Sequence, residues 1–204
     1  MHDATAKTSH TTPAIHIAKS ELIVGGQKSG KSRRAELLAR DWLQQSPSHK
    51  AVLIATAQAW DEEMRQRIER HQHDRAARVP RLTTVEEPLQ LAHTILRLSQ
   101  PDTLLVVDCL TLWLTNLLMP MNGENLVASD FIAYVAMLSA AILASNHENK
   151  GPIVIVSNEI GLGVIPMGRD VRAFVDALGK LNQDIAQVCD KVTLMSAGLP
   201  LSLK

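Results

Sequence analysis

At 204 residues the chain has room for one domain with a substantial core. Its 46% apolar and 21% charged residues exclude the disordered and membrane-embedded classes, and no apolar run reaches the roughly 20 residues of a membrane-spanning helix. Lys+Arg and Asp+Glu are equal at 21 each, which counts against a nucleic-acid binder with its usual basic excess.

Residues 1–19 are polar and lack the apolar centre of a secretory signal. They are expected to form a flexible extension ahead of a single domain over 20–204. Their histidines, His2, His10 and His16, have no spacing that defines a metal site. Residues 21–24 (ELIV) read as a short buried strand, and 32–44 as a helix with one apolar face. Between them stand Gly25, Gly26, Gln27, Lys28, Ser29, Gly30, Lys31 and Ser32, which fit G-x-x-x-x-G-K-[ST]. Strand, glycine-rich turn and helix are the context that makes this a phosphate-binding loop. The backbone N–H groups and the helix start face one anion. Lys31 is expected to reach the β- and γ-phosphates of a nucleoside triphosphate, and Ser32 to hold Mg²⁺.

Residues 51–55 form the next strand, closed by Thr56, Ala57 and Gln58. Ligands of open parallel sheets sit at the carboxyl ends of strands. Thr56 and Gln58 are therefore placed for nucleotide contact, with a helix cap the other reading of Thr56. Over 60–75 a charged helix has Trp60, Met64 and Ile68 in steps of four, and His71 falls about 20° from Trp60 on the same stripe. His73 falls on the far side, and Arg75 shares the face of His71. A histidine ending such a stripe serves packing, caps the helix as a cation, or does chemistry.

Residues 79–87 read as a connector with a short strand, in which Glu86 either faces the site or solvent, and 88–98 as a helix. Residues 103–108 (TLLVVD) are the clearest strand. An aspartate closing an apolar strand is the second Mg²⁺ element of phosphate-loop enzymes, so Asp108 is a metal-site carboxylate or else a helix cap. Cys109 and Cys189, inside apolar segments, read as buried thiols of a reducing compartment, and the cytoplasm is the expected location. A helix follows over 109–118, a looser stretch over 119–130, and an apolar helix over 131–144 that is central or lies at an oligomer contact. Residues 153–156 are a strand ending at Ser157, Asn158 and Glu159. The glycine-rich loop over 160–170 has the character of a substrate cover. An amphipathic helix over 171–188, a strand over 191–195 and an antiparallel terminal strand over 201–203 complete an α/β pattern, mostly parallel, with helices on both faces.

Five stretches together resemble one family, the bifunctional adenosylcobinamide kinase/adenosylcobinamide-phosphate guanylyltransferases of cobalamin biosynthesis. They are GGQKSGKSRRAE at 25–36, IATAQAWDEEMRQRIERH at 54–71, VVDCLTLWLTNLL at 106–118, VSNEIGLGVIP at 156–166, and LGKLNQDIAQVCDKVTLMSAGLPLSLK at 178–204. The resemblance implies a RecA-like P-loop fold, a homotrimer, and two reactions. ATP or GTP phosphorylates the hydroxyl on the aminopropanol arm of adenosylcobinamide. A histidine then attacks the α-phosphate of GTP, and adenosylcobinamide phosphate takes GMP from it to give adenosylcobinamide-GDP. By position in R-I-x-x-H-x-x-x-R that histidine is His71. The nucleotide contacts implied are residues 25–32, Thr56, Ala57, Gln58, Gln72, His73, Asp74, Arg75, Glu86 and Asp108, with Mg²⁺ at Ser32 and Asp108. Two positions depart from relatives: Arg70 where some carry a second histidine, and Leu82 near a frequent tryptophan. Competing readings are a P-loop small-molecule kinase without guanylyl transfer, a nucleic-acid-dependent ATPase, which neutral charge and 3% aromatics disfavour, and a nucleotide-sensing regulator.

Overall fold

A computed structural model of the chain describes residues 17–120, 128–147 and 149–204. The three early histidines and residues 121–127 of the looser stretch lie outside the described residues. Residues 17–19 are docked onto the domain: Ile17 packs against its core, and Lys19 Nζ donates to Lys150 O at 2.6 Å.

Seven strands form one sheet: β1 (Ser20–Gly25), β2 (Lys50–Ala55), β3 (Leu82–Glu86), β4 (Thr103–Asp108), β5 (Ile153–Val156), β6 (Lys191–Ser196) and β7 (Leu199–Ser202). Their order is β3-β2-β4-β5-β1-β6-β7, parallel throughout except for the antiparallel β6–β7 pair. This is the mostly parallel, helix-flanked sheet that the sequence pattern calls for. Strands buried on both faces need unbroken apolar runs, which is why IVIV of β5 and LLVV of β4 lie at the centre and are buried. β5 pairs with β1 on one side and β4 on the other. The phosphate-loop strand and the Asp108 strand are thus separated by one strand, the RecA-like order.

Helix α1 (Lys31–Gln45) covers one face through Ala35, Leu38, Ala39 and Leu43. The other face carries α3 (Leu91–Leu98), α4 (Leu110–Leu118), α5 (Ala128–Ser145) and α6 (Arg169–Val188), with Trp113, Leu138, Ile142, Leu181 and Ile185 in their shared core. α3 starts three residues later than the sequence pattern suggests. The Glu87 carboxylate accepts from the Leu89 and Gln90 N–H groups and from the Thr94 hydroxyl, so this segment is a turn ahead of the helix. α5 buries Leu138, Ala141 and Ile142 but leaves Ile132, Met137 and Leu143 more than half, or half, exposed.

Burial raises the thiol pKa of Cys109 to about 11 and of Cys189 to about 12. The nucleophilic thiolate is therefore scarce at neutral pH. Both cysteines are expected to resist iodoacetamide in the native protein and react on unfolding; rapid native alkylation at pH 7, read by mass spectrometry, would contradict that burial.

Candidate active site

The loop after β1 is tight for reasons its glycines explain. Gly25 has φ +150°, and a Cβ there would lie 2.5 Å from Met195 O and 2.8 Å from Ser29 Oγ. Gly30 has φ +102° at the start of α1. Lys28 takes φ 55°, a left-handed conformation uncommon for a side-chain-bearing residue. The curl is closed by Ser29 N–H to Gly26 O at 3.3 Å and by Gly198 N–H to Ser29 O at 3.0 Å. Gly25→Ala is expected to destabilise the protein by about 1–3 kcal/mol through this overlap and strain. A thermal melt reads it, and an unchanged Tm would show that the loop has slack.

Lys31 is buried, and its Nζ donates to Gly26 O at 2.7 Å. The ammonium thus lies folded over the loop. Burial lowers its pKa; Cys109 and Asp108 act in the opposite direction, and Arg67 adds to the lowering. Ser29 Oγ is buried without a hydrogen-bond partner, an orphan that a phosphate oxygen would satisfy. Asp108 ends β4, and its carboxylate has no hydrogen-bond or ion-pair partner among the described residues. One carboxylate, the Ser32 hydroxyl and substrate phosphates form the sparse oxygen set that Mg²⁺ takes, in contrast to an all-protein cage. The hard oxygen donors of Asp108 and Ser32 fit Mg²⁺ held together with a nucleotide.

Thr56 corrects the sequence reading. It is fully buried, and its hydroxyl donates to Cys109 O at 2.7 Å and accepts from Cys109 N–H at 2.9 Å. Its own N–H donates to Asp108 O and its carbonyl accepts from Asn116 Nδ2. Every polar group is thereby used. Thr56 ties β2 to the end of β4 and positions Asp108, instead of capping a helix or touching nucleotide. Ala57 and Gln58 follow it, half-buried at the strand end. Gln27, Lys28 and Gly26 are exposed on the loop.

Helix α2 (Glu62–Arg78) also differs from expectation. Trp60 lies outside it, because the Asp61 side chain accepts from Met64 N–H at 2.7 Å and caps the helix there. Glu62 and Glu63 in the first turn and Arg75 and Arg78 in the last suit its dipole. Arg75 is its one buried residue, and donates to Thr84 Oγ1 of β3 at 3.3 Å. Met64 and Ile68 lie within about 20° of Arg75 around the axis, and these three define the inward line. His71 lies about 40° off that line and is exposed. It is therefore not the buried end of an apolar stripe.

Its flank is nonetheless defined. Arg78, about 60° off the line on the same side, pairs with Glu36 of α1 at 2.8 Å. Arg67, about 80° off on that side, acts electrostatically on Lys31. His71 lies between them along the helix, on the flank turned toward α1 and the phosphate loop. The opposite flank, with Gln72, joins Arg75, Thr84 and Glu86 around a cleft of about 520 Å³ between α2 and β3. Three of the expected nucleotide contacts, Gln72, Arg75 and Glu86, are thus brought together. His73 is not: it projects about 160° away from Arg75. Asp74, exposed beside Arg78, lies about 100° from Arg75 on the flank of His71. Arg67, Arg78 and Glu36 had no assigned part in the sequence reading. The spacing of 11 between the two arginines, three helical turns, was the signal for their common flank.

The family model described as cobinamide kinase / cobinamide phosphate guanyltransferase matches residues 21–203. The bifunctional adenosylcobalamin biosynthesis protein CobP of Pseudomonas aeruginosa is 46% identical over 185 residues, covering 90% of this chain and 96% of that protein. The bifunctional adenosylcobalamin biosynthesis protein CobU of Escherichia coli K12 is 34% identical over 189 residues, covering 90% and 98%. Among solved structures, PH0250 of Pyrococcus horikoshii aligns over 94% of this chain and 88% of its own, with TM-score 0.53 at 12% identity, a likeness of fold alone. The match spans nearly the whole domain that carries the phosphate loop and Asp108, and the chain belongs to the cobinamide kinase / cobinamide phosphate guanyltransferase family.

Proposed function

We propose that this chain phosphorylates the aminopropanol hydroxyl of adenosylcobinamide with ATP or GTP and then transfers GMP from GTP to the product through a covalent GMP–His71 intermediate. The observation that carries the reading is the flank of α2 on which His71 stands, turned toward the loop that holds Lys31. In the first reaction the loop amides and Lys31 hold the triphosphate while the acceptor oxygen attacks the γ-phosphorus. In the second, a neutral imidazole nitrogen attacks the α-phosphorus and pyrophosphate leaves. The cobinamide phosphate oxygen then attacks the same phosphorus and frees the imidazole, so one displacement becomes two. Arg67 and Arg75 supply positive charge on either side of His71 during these steps. Bound at Ser32 and Asp108, Mg²⁺ would neutralise phosphate charge. The cleft of Gln72, Arg75 and Glu86 offers donors and an acceptor for a purine edge.

Two further parts of the reading are proposals on family likeness. One is a homotrimer, consistent with the exposed Ile132, Met137 and Leu143 of α5 and Leu199 and Leu201 of β7. The other is a cytoplasmic location, consistent with buried reduced cysteines; no helix among the described residues is long and apolar enough to cross a membrane. The direct test is product analysis with adenosylcobinamide. With ATP and GTP, adenosylcobinamide phosphate should precede adenosylcobinamide-GDP. Accumulation of the phosphate alone would reduce the protein to a kinase.

A further inference from the structure

β5 lies between the phosphate-loop strand and the Asp108 strand, so its carboxyl end adjoins both the phosphate loop and Asp108. Its last residues are braced from three sides. Asn158 N–H donates to Thr111 Oγ1 of α4 at 2.9 Å, and Asn158 O accepts from Asn182 Nδ2 of α6 at 3.0 Å. Glu159 N–H donates to Gly25 O, the first residue of the phosphate loop, at 3.0 Å. The Glu159 carboxylate is half-buried, and one oxygen accepts from Gly161 N–H at 3.0 Å. The other has no hydrogen bond or ion pair among the described residues.

From Glu159 a cavity of about 690 Å³ runs under the 160–166 loop and along α6, a size suited to a small-molecule site. Leu22, Val24 and Val192 give it an apolar floor, and Asp176 and Lys180 stand on its wall with Glu159. Gly179 lines it too, in the middle of α6, where glycine is disfavoured. A Cβ at Gly179 would meet nothing within 4 Å. Packing does not require the glycine, and its missing side chain widens the cavity.

We propose that this cavity receives the hydroxyl-bearing acceptor of the kinase step and that Glu159 is the general base of that step. This rests on the kinase reading above. The acceptor oxygen forms a bond to the γ-phosphorus as its proton passes to the free Glu159 oxygen. The bond from the γ-phosphorus to the β–γ bridging oxygen breaks, and the nucleoside diphosphate leaves with that electron pair. The cavity's apolar floor and polar wall suit an acceptor with a broad apolar surface edged by amides.

The test separates the two half-reactions. Uptake of GMP from α-labelled GTP needs no acceptor, whereas phosphorylation of cobinamide by γ-labelled nucleotide does. Glu159→Gln should lower the phosphorylation kcat by about 10²–10⁴-fold, while GMP uptake persists. Gly179→Leu should raise the acceptor KM by about tenfold or more with the nucleotide KM unchanged. Wild-type phosphorylation by Glu159→Gln, or equal loss of both half-reactions, would overturn the base assignment. An unaltered acceptor KM in Gly179→Leu would overturn the cavity assignment. Absence of phosphorylation in the unmodified protein would instead sink the kinase reading itself.

Discussion

Lys31→Ala is expected to damage both half-reactions together, by about a hundred- to a thousandfold each, on the order of 3–4 kcal/mol of transition-state stabilisation. Among the described residues a single loop, from Gly25 to Ser32, is available to hold a triphosphate, and Lys31 Nζ already lies across it at 2.7 Å from Gly26 O. A buried ammonium whose pKa is depressed by burial gains strongly from an incoming polyphosphate. Removing it costs nucleotide binding and transition-state charge neutralisation, but not the fold. The melting temperature of Lys31→Met, which keeps the stem without the charge, should be equal to or above that of the parent. Steady-state kinetics of phosphorylation and of GMP uptake check the claim. A variant that loses one activity and retains the other would mean that two separate sites bind the two nucleotides.

His71→Ala is expected to abolish guanylyl transfer, on the order of 10⁴-fold or more, and to leave most of the kinase rate intact. The side chain is exposed on α2, so its removal should change stability by no more than about 0.5 kcal/mol. Loss of activity in this variant therefore reads chemistry instead of folding. His73→Ala is the matched control: it lies on the same helix, is also exposed, and projects away from the loop. It should keep both activities. Equal GMP transfer by the two variants would remove His71 from the mechanism.

The contrast between these two residues shows where the sequence is informative. The phosphate loop is legible because its chemistry is contiguous: strand, glycines, lysine and helix start follow one another, and no long-range contact is needed to recognise them. The central strands are legible for the same reason, as unbroken apolar runs such as IVIV closed by polar residues. The orientation of α2 is not. Periodicity from Trp60 places His71 on a stripe facing the core, whereas Asp61 caps the helix one residue later and the buried Arg75 sets the inward line. What fixes the flank of His71 is an ion pair between Arg78 and Glu36, 42 residues apart. Thr56 is a similar case. Its position at a strand end suggested a ligand contact, but Cys109, 53 residues away, takes both hydrogen bonds of its hydroxyl. Strand order is likewise a tertiary property. Nothing local to IVIV says that β5 separates β1 from β4, and that insertion brings Glu159 beside Gly25.

The most direct measurement is to incubate the protein with GTP labelled at the α-phosphorus, digest it, and map the labelled peptide. A phosphoramidate is expected, stable in base and lost in acid, on His71 alone, and chased into product by adenosylcobinamide phosphate. Label on another residue, or turnover to adenosylcobinamide-GDP with no labelled protein at any time, would contradict the account.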